Sequence, residues 1–149
     1  MSSAVFDFLT GSGTDDAGRE VFDVIAMDDA AIEQGHDFIQ WLFPLSERSG
    51  ANPNAPILTG EDVEEIRESP AAQASLAAAT DRLAVFYHRN GHWLTASDHN
   101  HLRITRIIKS LRLLRGDELA DAFRTFILAR VEEAGSPIGK PTLGFWSRA

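Results

Sequence analysis

Cysteine is missing from the 149-residue chain, which excludes disulfides and thiolate-bound metal and fits a reducing, cytoplasmic setting. No apolar run approaches the ~18 residues that a bilayer crossing needs, and no secretory leader is expected ahead of the first helix. Internal repeats and low-complexity linkers are also lacking. Basic charge is scarce: 14 Lys and Arg against 22 Asp and Glu give a net charge of −8, which opposes broad, nonspecific attachment to nucleic acid. Catalytic templates are missing too, with no GxSxG, P-loop, GxGxxG or HExxH anywhere in the chain. The carboxylate pairs Glu64–Glu65 and Glu132–Glu133 read as solvated helix faces. Nothing in this inventory requires an enzyme or a cofactor.

What is present is ordinary for a soluble domain: 44% hydrophobic and 24% charged residues. A chain of this length fits one domain over 1–149 with a self-sufficient core. Its few β-rich runs, such as 84–87, fall inside longer stretches of helical period. Val21, Val24 and Ile25 begin one amphipathic face after an acidic turn at Asp15–Asp16. A second element is predicted from about Asp29 to Phe43 and stopped by Pro44. Thr59 reads as an N-cap with acids in the first turn, and Ser69-Pro70 as another helix start. Leu76, Ala79, Leu83 and Phe86 form a narrow, alanine-rich seam that admits a close neighbour and, if exposed, would favour a homodimer. Asp98 caps a helix striped by Ile104, Ile107, Ile108, Leu111 and Leu114. Leu119, Phe123, Phe126 and Ile127 mark a last helix, followed by a tail with Pro137, Pro141, Phe145 and Trp146 that reads as an irregular strap. The expected architecture is all-α, a single-domain helical bundle of about six helices.

Within HDFIQWLFPL, His36 to Leu45, polar groups stand among large apolar ones. On one continuous helix His36, Gln40, Ile32, Ile39 and Phe43 share a face, and Phe38, Trp41 and Leu42 cover most of the rest. Such a helix is expected to be buried, so His36 and Gln40 need partners inside. They then either anchor a structural network or line a pocket. Four further histidines cluster at His88, His92, His99 and His101. The four-residue spacing in HRNGH suits a metal on a helix, but Gly91 interrupts it. On a helix His99 and His101 diverge by about 200°, so no metal site is expected. In RITRIIKSLRLLR, five cations between Arg103 and Arg115 meet no acid. The segment carries +5, leaving −13 on the rest of a chain whose total is −8. Its arginines either pair internally with acids such as those of EDVEEIRE, or meet an anion, nucleic acid or a protein partner.

Three segments in order, FLTGSGTDDAGREVFDVIAMDD with Gly18-Arg19 and Asp28, HDFIQWLFPLSERSGANPNAPILTGEDVEEIR, and HNHLRITRIIKSL, resemble the opioid growth factor receptor conserved region. They are distributed over residues 8–111 of the chain. Animal members are described as perinuclear receptors for the pentapeptide Met-enkephalin and carry long C-terminal extensions. This chain is similar to the short stand-alone bacterial versions. The resemblance implies a binding or interaction module, receptor-like, whose partner is a small peptide, an anion or a protein. The candidate binding residues are His36, Asp37, Gln40, Trp41, Asn100, Arg103 and Arg106, with the first block expected to meet the second in space. The alternatives are a small anion- or nucleic-acid-associated protein using helix 103–115, or an enzyme with a His36/Arg103 site.

Overall fold

The computed structural model describes residues 3–149. Among these residues stand nine helices and no sheet, only an isolated parallel bridge pairing Leu45 with Ile57. The fold is all-α. Residues up to Ala79 form one compact unit and Thr80–Ala149 a second.

In the first unit, α1 (Ala4–Thr10) starts at Ser3, whose hydroxyl accepts from the Phe6 N–H at 3.2 Å. It stops at Gly11, which takes the left-handed conformation that glycine adopts without strain. Phe8 and Leu9 are fully buried, and α1 lies against α2 (Val21–Ile25), α4 (Ile39–Leu42) and α5 (Gly60–Glu68). The acidic pair Asp15–Asp16 does not form the first turn of α2; that helix is capped instead by Glu20 and Asp23 in a reciprocal box. Thr59 caps α5 as expected, and Asp62 completes the same reciprocal box there: the Asp62 N–H donates to the Thr59 hydroxyl at 3.1 Å, and the Thr59 N–H to Asp62 at 2.9 Å.

The single helix expected over 29–43 is two helices, α3 (Asp29–Gln34) and α4. Gly35 ends α3 in an extended conformation, and a β-carbon there would stand 2.8 Å from Cδ1 of Phe38. The glycine thus admits the buried Phe38 ring against the backbone, at the cost of helical continuity. This break changes which residues face inward. His36 and Asp37 are exposed, whereas Phe38, Ile39, Gln40, Trp41, Leu42 and Phe43 are buried.

Helix α6 (Pro70–Arg89) begins at the predicted Ser69-Pro70 start, with the Ser69 hydroxyl accepting from the Ala72 N–H at 3.1 Å. Its seam residues Leu76, Ala79, Leu83 and Phe86 are all completely buried, so the alanine-rich face is internal. In the second unit, α7 (Asn100–Arg115) buries every residue of its isoleucine–leucine stripe. Gly116, at φ +101, turns the chain into α8 (Asp117–Glu133), and α8 and α9 (Lys140–Arg148) both lie on α7. Helix α9 corrects the expected irregular strap. Pro141 sits in its first turn, where no helical N–H bond is lost, and Trp146 is fully buried. The nine short and long helices exceed the expected six mainly through α1, α9 and the α3–α4 break.

Candidate functional site

Two polar constellations stand out, one in each unit. In the first, the turn 15–19 folds around the Asp15 carboxylate. Its Oδ1 accepts from the N–H groups of Ala17 and Arg19 at 3.0 and 2.9 Å, and its Oδ2 accepts from the Arg19 Nε at 2.8 Å. Gly18, at φ +77, supplies the left-handed turn that brings Arg19 back onto Asp15. The Nη2 of the same guanidinium donates to Asp37 Oδ1 at 3.0 Å. Partial burial pulls the Arg19 pKa down, but its hydrogen bonds to Asp37 and Asp15 outweigh that and hold it above its ordinary value. The Asp15 side chain is wholly buried, whereas that of Asp37 is 58% exposed. Arg19 is therefore a rigidly held cation that presents one carboxylate, Asp37, and the neighbouring exposed His36 to solvent. In the following helix α4, Gln40 and Trp41 are buried, and Trp41 meets the Phe8 ring edge-on at 5.5 Å. Sequence reasoning placed His36 in the core. The structure corrects that placement, because the phase of the helical wheel is lost at Gly35.

In the second unit the polar groups are turned inward. Asn100 is completely buried at the start of α7. Its amide oxygen accepts from the Tyr87 hydroxyl at 3.2 Å, while its backbone and side-chain nitrogens both donate to Asp98 Oδ1 at 2.9 Å. Burial raises the Asp98 pKa, but the two bonds from Asn100, aided by His99 and His92, prevail and leave the carboxyl below its usual range. His101, also buried, places Nε2 2.8 Å from the Trp93 carbonyl. The Trp93 indole in turn donates to the carbonyls of Asn90 and Tyr87, at 2.8 and 3.1 Å, closing the end of α6. Trp146 donates to the His101 carbonyl at 3.1 Å and stands perpendicular to the imidazole at 5.7 Å. His101 is thereby a satisfied core histidine, and Asn100 is part of the same internal network.

The basic helix divides. Arg103 is 7% exposed, and Arg106, Lys109 and Arg115 are half-buried. Arg112 pairs with α8: it donates to Asp121 at 2.7 Å and to Asp117 at 2.9 Å, and through Nε to the Ala149 carbonyl at 2.8 Å. These hydrogen bonds raise its pKa, Asp121 contributing most, and the reciprocal bond holds the Asp121 carboxyl low. Internal pairing of Arg112 therefore occurs, with Asp117 and Asp121 and not with the acids of EDVEEIRE. Of the residues that carry these constellations, the sequence reading missed Asp15, Tyr87 and His101 as polar anchors. The DDAGR turn, with its glycine beside the arginine, was the available signal for the first.

Residues 18–90 match the family described as "Opioid growth factor receptor (OGFr) conserved region". Among its relatives, mouse (Mus musculus) opioid growth factor receptor-like protein 1 is 35% identical over 114 residues, covering 65% of this chain and 24% of that protein. Mouse opioid growth factor receptor is 38% identical over 98 residues, and the human (Homo sapiens) protein 36% over 101, each covering 54% of this chain. These alignments span only 15% and 14% of the mouse and human receptors, so the match concerns one region of much longer proteins. No solved structure matches the chain. The Gly18-Arg19 and His36-Asp37 motifs that the ion pair joins both fall within the matched stretch, and that stretch, about half of the chain, is the part similar to the opioid growth factor receptor conserved-region family.

Proposed function

We propose that the chain is a receptor-like binding module whose recognition surface in the first unit is the exposed His36–Asp37 corner, held by Arg19 and backed by Gln40 and Trp41. The observation that carries this reading is the Asp15–Arg19–Asp37 arrangement. A buried carboxylate fixes a cation, and that cation fixes an exposed carboxylate beside an exposed imidazole. A surface ion pair contributes only about 0–1 kcal/mol to stability, so so careful a scaffold for an exposed acid is better explained by recognition. The exposed Asp37 carboxylate suits a peptide carrying an amino group or other donors. The relatives' name, opioid growth factor receptor, points to a peptide as well. Asn100, within the Tyr87–Asp98 network, supports α7 and is assigned no ligand; Arg103 and Arg106 are reserved as secondary candidates. A cytoplasmic setting, read from the lack of cysteine, belongs to the same proposal, and no helix of the described residues is long and apolar enough to cross a membrane.

Titrating Met-enkephalin and a scrambled peptide of equal composition into ¹⁵N-labelled protein tests it. Amide shifts centred on Arg19 and residues 36–41, lost in Asp37→Ala while melting is unchanged, are expected. Shifts equal for both peptides, or unaltered by Asp37→Ala, would remove this corner as the site. The anion or nucleic-acid reading is weakened by the pairing of Arg112 with Asp117 and Asp121.

A further inference from the structure

We propose that α9 is an exchangeable arm, and that two copies of the chain form a dimer by each seating its α9 on the α7–α8 surface of the other. Three observations carry this. First, α9 is held by a compact, self-contained set of contacts. Trp146 is fully buried and bonded to the His101 carbonyl, Arg112 holds the Ala149 carbonyl, and Arg124 donates to the Ser147 carbonyl at 3.1 Å. The two guanidiniums are in turn braced by one atom, Asp121 Oδ1, at 2.7 and 2.8 Å. Every one of these bonds can be remade in trans without loss, which is the condition for exchange between identical chains.

Second, the connection between α8 and α9 is short and strained. Six residues, Ala134 to Gly139, separate the two helices. Within them Ser136 takes φ +58, among the described residues the sole non-glycine with positive φ. It immediately precedes Pro137, and a residue before proline prefers extended backbone. The conformation that folds α9 back onto its own chain is thus one that Ser136 and Pro137 both resist. Opening the connection to an extended form relieves both, and short hinges under strain favour exchange over self-docking. Third, the same extension gives the arm its reach: six extended residues span up to roughly 20 Å. The occupant of the seat is a second copy, since α9 itself already shows what fits there.

The test uses the full chain, unfolded and refolded at low and at high protein concentration, then sized by light scattering after chromatography. A dimer fraction that grows with refolding concentration and persists on dilution is expected. Ser136→Gly relaxes the hinge without touching the seat, and should lower that fraction several-fold with no fall in melting temperature. A complementation pair reports the exchange itself. Trp146→Ala spoils the arm but keeps the seat, and the double variant R112A/R124A spoils the seat but keeps the arm. Each alone should stay monomeric, while refolding the two together should yield heterodimers by native mass spectrometry. A wild-type chain that remains monomeric at every concentration would overturn the proposal. So would a dimer that survives Trp146→Ala, or one indifferent to Ser136→Gly.

Discussion

Replacing Trp146 with alanine asks whether α9 is integral to the second unit. The side chain is completely buried, and a buried tryptophan removes about 200 Å² from water, equivalent to roughly 5 kcal/mol as an upper bound. Alanine retains part of that burial, and the seat collapses only partly, so the expected cost is about 3–5 kcal/mol. The lost indole bond adds little. Its acceptor, the His101 carbonyl, also receives the Thr105 hydroxyl at 3.1 Å and is not orphaned. Trp146→Phe keeps most of the apolar volume and loses the N–H donor, for a cost of about 1–2 kcal/mol. For a chain of this size those figures correspond to falls in Tm of roughly 10 °C for alanine and roughly 4 °C for phenylalanine. Scanning calorimetry or circular dichroism at fixed protein concentration reads both. An alanine variant within about 1 kcal/mol of wild type would show that α9 rests on the surface, and the argument from burial would fail.

Gly35→Ala should destabilise by about 1–2 kcal/mol: the new methyl meets the Phe38 ring at 2.8 Å, an overpacking cost that exceeds the few tenths to 1 kcal/mol gained from a stiffer unfolded chain. A stabilised variant in urea titration would contradict the account of the α3–α4 break. On the acid side, Asp62 and Asp98 both have lowered pKa values, in each case through hydrogen bonds that overcome an opposing burial effect. Their contribution is fully present above the ordinary carboxyl range near 4 and is lost as pH falls through the lower folded values. Melting temperature should therefore hold down to about pH 5 and drop below about pH 4, with a shallower drop in Asp98→Asn. A uniform decline beginning near neutrality would contradict this. The continuous helix α6 runs through the Ala79–Thr80 boundary, so a single calorimetric transition is expected for the chain as one domain, and two resolved transitions would refute that.

The helix starts at α5 and α6 were legible because caps are local chemistry: Thr59, Asp62, Ser69 and Pro70 satisfy or avoid backbone donors within four residues of themselves. The stripe of α7 was legible for a related reason, since spacing alone decides which residues share a face. His36 was misplaced because the reason for the break at Gly35 lies in a ring three residues onward, and single-helix periodicity cannot register that contact. Helix α9 was misread as a strap because Pro137 and Pro141 look like breakers, yet Pro137 precedes the helix and Pro141 occupies the one turn that tolerates it. For the candidate site, the burial of Gln40 could be read from the sequence, and the exposed setting of Asp37 could not. Asp37 faces solvent on an arginine brought back by a left-handed glycine, while Gln40 is buried. Arg112 illustrates the same limit. Its need for acids was plain, but the choice of Asp117 and Asp121 depended on the Gly116 turn.

The positions of the three tryptophans have an experimental dividend. Trp41 lies in the first unit and Trp93 and Trp146 in the second, all shielded from water. The chain therefore carries native optical probes on each side of residue 79. Emission from a variant keeping only Trp41 would follow the corner that bears Asp37, and one keeping only Trp146 would follow the arm, so ligand engagement and arm release can be watched separately without a dye.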